Sequence, residues 1–158
     1  ELDRSKSEGV ERLVEAWAAA GAEAIHAEDI WAALWTKFVF IASFGGVTSL
    51  ARCTAGELLG SHETRELFIQ AMREVDAVAR VRQIGLASDV VEKGLAVAEA
   101  FEPTATSSMQ RDVAAGKPFE LEAFSGTVVR MGEAVSVPTP VHRLIYGLLK
   151  PALLKAMA

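Results

Sequence analysis

Lys37 is the residue of this sequence whose surroundings best suit acid–base chemistry. Trp35 precedes it and an apolar run at 38–41 follows it. Burial of an amine disfavours its charged form, which makes such a group a usable proton donor near neutral pH. The simpler interpretation is a lysine whose stem packs on apolar neighbours while its amine reaches water. The local sequence alone leaves both interpretations open.

A second group of polar residues, Ser108, Asp112 and Glu120, could converge on one polar ligand. Ser108 and Asp112 are four residues apart and so share one face of a helix, and Glu120 follows just beyond a turn. Each also has an ordinary structural explanation. Asp112 could be a solvated charge, and Glu120 could complement the start of the next helix.

The other familiar catalytic signatures are missing from the sequence. It contains no CxxC, no GxGxxG, no P-loop and no nucleophile elbow. His26, His62 and His142 lack metal-ligand spacing, so no metal site is predicted. Cys53 is expected to pack as a small hydrophobic residue, because no base can be assigned to it.

Composition narrows the class of protein. The 158 residues allow one domain and hardly two, and a hydrophobic content of 51% excludes a disordered chain. The formal net charge of −5 argues against a nucleic-acid-binding protein. The single cysteine fits a reducing compartment, and no signal peptide is predicted at the charged residues 1–4, so we expect a cytoplasmic protein. The first residue is Glu1 rather than Met, as if the chain were cut from something larger.

The longest apolar stretch, Ile30 to Ala51, approaches the length of a membrane span. Lys37 lies inside it and Gly45-Gly46 interrupts it. A lysine at the centre of a membrane helix costs about 2.5–3.5 kcal/mol on insertion scales. A buried core helix is therefore predicted, and no membrane partner.

The periodicity of the apolar residues predicts six or seven helices and one isolated strand. The first helix would open with a capping box at Ser5 and Glu8 and end at Gly21, before a short strand at 22–26. Gly45-Gly46 should weaken the second helix, and Pro151 should kink or stop the last one. The other helices are predicted to begin at Asp29, Ser61, Ser88-Asp89, Ser107, Glu120 and Thr139.

Five short motifs, taken in order, resemble those of the helical domain of ketopantoate reductases (2-dehydropantoate 2-reductases). They are W-T-K at 35–37, S-S-M with an aspartate at 107–112, the glutamate at 120, G-T-V-V at 126–129, and V-P-T-P with L-I-Y between 137 and 146. The resemblance covers nearly the whole chain.

The resemblance implies an all-α fold, the multi-helix C-terminal domain of the 6-phosphogluconate-dehydrogenase-like type. Residues 29–158 would form the helical substrate-binding and catalytic domain. Residues 1–28, a helix plus a short strand, would be a remnant of a nucleotide-binding Rossmann domain. The cofactor would be NADPH, bound mainly by that missing N-terminal domain, which would explain the absent GxGxxG.

The resemblance also implies roles for individual residues. Lys37 matches the general acid of the family, and Glu120 matches the carboxylate that holds the hydroxyl end of the substrate. Ser108 and Asp112 match substrate-contacting positions. The family usually has asparagines four and eight residues after the lysine, where this sequence has Ile41 and Gly45.

The first departure from the family pattern concerns the expected substrate pocket beside Lys37. Ile41 and Gly45 offer no side-chain amide there. Such a pocket would prefer a more apolar molecule. Smaller departures are Phe119 and Ser125 in place of Thr and Asn, and Glu122 in place of Asp.

The sequence therefore predicts an NADP-dependent oxidoreductase of pantothenate biosynthesis when full length. It would reduce ketopantoate or a related 2-oxo acid to the 2-hydroxy acid, and the 158-residue chain alone should be inactive. One alternative is a divergent reductase of a more apolar carbonyl substrate. Another is a non-catalytic helical interaction or dimerisation module. The expected partner is a small molecule, and a homodimer could form.

Overall fold

The computed structural model describes residues 7–158, and this part of the chain is built from helices alone. The predicted all-α fold is confirmed. The long helix α2 runs through the centre and contacts α4, α5, α6, α8 and the π-helix. The elements are α1 (Glu8–Ala19), α2 (Ile30–Ala51), α3 (Ala55–Gly60), α4 (His62–Val81), α5 (Val90–Glu99), α6 (Ser108–Ala114), the π-helix (Glu122–Gly126), α7 (Thr127–Ala134) and α8 (Pro140–Ala156).

The beginning of the chain differs from the prediction in two places. Residues 22–27 are irregular, so the strand predicted at 22–26 is not formed within the described residues. A strand needs a hydrogen-bonded neighbour, and the described residues contain no other strand that could pair with it. The predicted cap residue Ser5 lies outside the described residues. The observed cap of α1 is Ser7, whose Oγ accepts the Val10 N–H at 3.2 Å.

Helix starts predicted from local cap chemistry are largely confirmed. The side chains of Asp29, Ser61 and Ser107 accept backbone N–H groups in the first turns of α2, α4 and α6. Each such cap stabilises a helix by about 1 kcal/mol because it satisfies a donor that has no partner within the helix. Asp89 occupies the cap position of α5 without forming a side-chain cap bond.

The predicted weakening of α2 at Gly45-Gly46 is wrong, because the helix is unbroken to Ala51. A Cβ atom on Gly46 would lie 3.1 Å from Ile145 Cδ1 and 3.3 Å from Ser125 Oγ. The missing side chain thus lets α8 and the π-helix approach α2 closely. Packing at this crossing compensates for the lower helix propensity of glycine.

Helix α2 is long and apolar enough to cross a membrane by length and composition. Its residues from 42 to 49 are all buried inside the protein. Burial of this kind is what the core helix of a folded domain shows, and it supports the predicted core helix.

An aromatic cluster joins α2 to its neighbours. Phe40 and Phe44 stack with ring centroids 5.3 Å apart, and Phe68 on α4 meets Phe44 edge-on at 6.0 Å. Phe101, which follows α5, meets Phe44 edge-on at 5.5 Å. Such aromatic pairs contribute about 0.5–1.5 kcal/mol beyond the burial of their area. They hold α2, α4 and the segment after α5 in a fixed arrangement.

The start of α8 is capped from another helix. Thr139 occupies the predicted cap position, but its side chain forms no cap hydrogen bond. Instead the carboxylate of Glu74 on α4 accepts the N–H of Val141 at 2.7 Å and that of His142 at 3.0 Å. Burial raises the pKa of Glu74, against the lowering effect of these two hydrogen bonds. A long-range contact thus replaces the local cap.

Three further elements depart from the prediction. Helix α3 was not predicted, although Thr54 and Glu57 form a complete capping box at its start. The helix predicted from Glu120 consists of the π-helix followed by α7. Helix α8 runs past Pro151 to Ala156, so the proline does not stop it.

Candidate functional site

A cleft of about 370 Å³ opens between α2, α6, the π-helix and the segment that precedes α6. Residues of α2 at i, i+3, i+4, i+7 and i+8 form one wall, since these positions share a helix face. The lining consists of Lys37, Phe40, Ile41, Phe44, Gly45, Phe101, Thr106, Ser107, Ser108, Met109 and Phe124.

Lys37 stands at the edge of this cleft. Its side chain is exposed and also borders a second groove of about 310 Å³, which includes residues of α5. No hydrogen bond or ion pair joins Lys37 to any residue between 7 and 158. Its amine is thus free to meet a ligand in the cleft. A dry environment for this amine would require something that covers the cleft.

The hydroxyl groups at the start of α6 have different roles. Ser107 Oγ accepts the Gln110 N–H at 3.1 Å and lies 3.1 Å from Thr48 Oγ1 on α2. Thr106 accepts hydrogen bonds from Arg111 through its carbonyl and its hydroxyl, at 2.7 and 3.1 Å. Ser108 is exposed and has no side-chain partner within the described part of the chain. Of these hydroxyls, Ser108 is wholly available to a ligand, whereas Thr106 keeps only its own proton to donate.

The cleft brings together four of the six site residues predicted from the sequence. Lys37, Ile41, Gly45 and Ser108 all line it. Asp112 lies one turn beyond Ser108 on α6 and is half-buried, and Glu120 is exposed in the segment before the π-helix. Neither carboxylate belongs to the lining of the cleft.

The sequence interpretation missed the aromatic part of the wall. Phe40 and Phe44 lie three and seven residues after Lys37 and share its helix face, so helical spacing alone could have found them. Phe101 and Met109 join them in the lining, together with Phe124 of the π-helix. The contribution of Phe101 depends on tertiary packing, which no local pattern reveals.

Glu122 anchors the π-helix that carries Phe124. Its carboxylate accepts hydrogen bonds from Tyr146 at 2.9 Å, from Arg130 at 2.9 Å, and from Lys150. Hydrogen bonds from Lys150 and then Tyr146 lower the pKa of Glu122 to about 2. The carboxylate is therefore ionised at neutral pH and ties α7 and α8 to this wall of the cleft.

The described residues do not fit a metal ion or a nucleotide. No cluster of three or more histidine, cysteine, aspartate or glutamate side chains between residues 7 and 158 could hold a metal. A dinucleotide site needs a strand that leads into a glycine-rich turn, and this range contains no strand. Cys53 is buried, and that burial raises the pKa of its thiol, in agreement with a packing role.

The helical fold and its cleft match a known class of domain. Residues 29–152 match the family model described as "Ketopantoate reductase PanE/ApbA C terminal". This chain belongs to that family.

Relatives of known structure and name agree with this assignment. The chain is 33% identical over 123 residues to a 2-dehydropantoate 2-reductase of Pyrobaculum aerophilum, a match that covers 78% of this chain and 44% of that protein. The crystal structure of 2-dehydropantoate 2-reductase from Methylococcus capsulatus is 32% identical, with a TM-score of 0.85 over 96% of this chain and 48% of that one. The crystal structure of a PanE/ApbA family ketopantoate reductase from Ralstonia eutropha is 27% identical in sequence. Its TM-score is 0.86, and the match covers 94% of this chain and 49% of that one. The chain thus spans about half the length of the relatives it matches.

Proposed function

We propose that this chain is the substrate-binding and catalytic half of a nicotinamide-dependent reductase that converts ketopantoate or a related 2-oxo acid to the 2-hydroxy acid. One observation carries the proposal: in a chain of this family, an unpaired lysine and a free serine hydroxyl line one cleft. A cation and a hydroxyl donor are the groups that a 2-oxo acid needs for its ketone and carboxylate oxygens.

Lys37 acts as the general acid in this proposal. Negative charge develops on the ketone oxygen as the carbonyl carbon is reduced, and an ammonium group close by stabilises that charge and then donates its proton. Ser108 donates a hydrogen bond to the substrate carboxylate. Asp112 and Glu120 reach the substrate only where it projects beyond the described cleft, and Glu120 would then hold a hydroxyl at its far end.

The cofactor is NADPH, and it supplies the hydride when bound. Residues 7–158 do not fit its phosphates, so a nucleotide-binding domain outside residues 29–158 would hold it. Residues 1–28 would be the last part of that domain. None of the residues of α1 is buried, and the side chains of Leu13 and Trp17 are 56% and 54% exposed, which supports a boundary near residue 28. Such an enzyme would act in the cytoplasm.

The test is the turnover of ketopantoate by the full-length protein, followed by the loss of absorbance of reduced nicotinamide. Lys37→Met should lower kcat by about 10²- to 10⁴-fold, the usual contribution of a positioned general acid. Lys155→Met, which removes an exposed lysine at the far end of α8, is the matched control and should leave turnover unchanged. Equal rates for the Lys37 and Lys155 variants would refute the role of Lys37.

A second candidate function is a dimerisation module. The side chains of Leu144, Leu148 and Leu154 on α8 are 51%, 59% and 59% exposed, an apolar surface that a second copy could cover. Sedimentation of the native protein and of Leu148→Glu distinguishes the cases. A dimer that the variant dissociates, together with no reductase activity, would favour the module.

A further inference from the structure

The walls of the cleft consist mainly of apolar side chains. Phe40, Phe44, Phe101 and Phe124 line it together with Ile41 and Met109. Phe101 meets Phe40 and Phe44 edge-on, at ring-centroid distances of 5.8 and 5.5 Å, so these rings support one another. They form a fixed apolar surface that favours an apolar ligand group.

Free polar groups in the cleft are few. Ser107 Oγ is occupied by its bonds to Thr48 and Gln110, and Thr106 Oγ1 accepts from Arg111 and keeps only its own proton to donate, which leaves Lys37, Ser108 and that Thr106 proton among the lining residues. Two groups suffice for the ketone and the carboxylate of a 2-oxo acid. A further hydroxyl held inside the cleft would find no carboxylate or amide side chain in the lining, because Ile41 and Gly45 carry none and Glu120 lies outside it. Burying such a hydroxyl without a hydrogen bond is unfavourable.

Gly45 leaves room on the same side. A Cβ atom built there would lie 3.7 Å from Met109 Sδ and 3.9 Å from Phe124 Cδ2, which is ordinary contact distance. An alanine therefore fits, whereas any longer side chain would extend into the space between α6 and the π-helix. In the native chain Gly45 therefore leaves a gap of roughly one methyl group beside Met109 and Phe124, which a ligand in the cleft can contact.

We propose that the cleft selects 2-oxo acids that carry an aromatic or bulky apolar group on the ketone carbon, in preference to hydroxylated acids such as ketopantoate. This inference rests on the proposed reductase function and specifies its substrate class.

The experiment compares kcat/KM of the full-length protein for phenylglyoxylate, 4-methyl-2-oxopentanoate and ketopantoate. We expect the two apolar acids to exceed ketopantoate by about tenfold or more, the effect of one unpaired buried polar group. Calorimetric titration with phenylglyoxylate and with ketopantoate gives the same ratio from affinities, without turnover.

Two variants test the residues that carry the inference. Gly45→Leu should lower the ratio of phenylglyoxylate to ketopantoate by about tenfold, because it fills the space beside Met109. Ile41→Asn should raise kcat/KM for ketopantoate by about tenfold, because it restores a hydrogen-bonding group next to the substrate. Gly60→Ala is the control, since a Cβ there meets nothing within 4 Å. Ile41 is only half-buried, so its variant is expected to fold even if Gly45→Leu does not.

The outcomes separate the two proposals. If kcat/KM and affinity for ketopantoate both equal or exceed those for the apolar acids, the proposed selectivity is overturned and the proposed reductase function stands. Turnover of none of the three acids would overturn the reductase, and the affinity ratio would still decide what the cleft prefers. Unchanged ratios in both variants would show that Ile41 and Gly45 do not set the preference.

Discussion

His142 Nδ1 lies 3.2 Å from Ser125 Oγ in the buried centre of the domain, and its Nε2 lies 3.1 Å from the carbonyl oxygen of Ala71. The carbonyl can only accept, so Nε2 carries the proton and Nδ1 accepts from the serine hydroxyl. This neutral imidazole connects α8, α4 and the π-helix. Burial lowers the pKa of His142 to about 4.

Stability should therefore fall as the solution becomes acidic. The unfolded chain binds a proton at His142 below its ordinary pKa of about 6.5, whereas the folded chain does so only below about 4. The contribution of His142 to stability is thus fully present above about pH 6.5 and is lost as the pH falls from there to about 4. Between about pH 7 and pH 5 the native chain should lose roughly 2 kcal/mol more than His142→Gln, as measured by urea unfolding.

The comparison with His142→Gln is needed because burial shifts the pKa of Glu74 as well. Its raised pKa means that the folded chain binds a proton more readily there, which opposes the effect of His142. The difference between native protein and variant isolates the histidine. Parallel pH profiles for the two proteins would mean that the pKa of His142 does not change on folding.

Glu74→Ala should destabilise the domain. Two N–H groups in the first turn of α8 would lose their acceptor, at a cost of about 1–3 kcal/mol. Glu74→Gln keeps one acceptor oxygen and should cost less. Glu66→Ala, on the same helix but with no hydrogen bond or ion pair in the described range, is the control. Equal free energies of unfolding for the Glu74 and Glu66 variants would contradict the capping role.

The adjacent glycines of α2 should respond differently to the same substitution. Gly46→Ala places a methyl group 3.1 Å from Ile145 and should cost about 1–3 kcal/mol, because the side chains of Ile145 and Ser125 must give way. Gly45→Ala meets neighbours at 3.7 Å or more and adds helix propensity, so stability should hold or rise. Thermal unfolding of both variants checks this. A larger loss for Gly45→Ala than for Gly46→Ala would reverse the assignment of the two faces.

The 158-residue chain alone should bind NADPH weakly or not at all, because its described residues offer no phosphate-binding turn. Fluorescence titration of the chain and of the full-length protein provides the comparison. Tight one-to-one binding by the chain alone would place the nucleotide site in the helical domain, contrary to the proposal that a separate domain binds NADPH.

Local chemistry made much of this fold predictable. Asp29, Ser61 and Ser107 marked helix starts because a cap involves residues only two or three positions apart. The cap of α8 escaped prediction because Glu74 lies 67 residues before Val141. The Gly45-Gly46 pair resembled a helix break for a similar reason. The residue that packs closely against Gly46 is Ile145, which is distant in sequence.

The candidate site divides in the same way. Lys37 was predicted from its apolar surroundings, and Ile41 and Gly45 through the resemblance to ketopantoate reductases, and all three line the cleft. Asp112 was grouped with Ser108 through helical spacing, and Glu120 through its position just beyond the turn, and both lie outside the lining. Whether Phe101 reaches the cleft depends on how the segment after α5 packs against α2, and a single sequence carries no signal for that packing.

The hydroxyl contact between Thr48 and Ser107 links the start of α6 to the opposite wall of the cleft. One serine therefore both begins a helix and sets the width of the gap in which a ligand lies. Loss of this single hydroxyl would remove the cap of α6 and its tie to α2 at once, so the helix start and one wall of the cleft would loosen together.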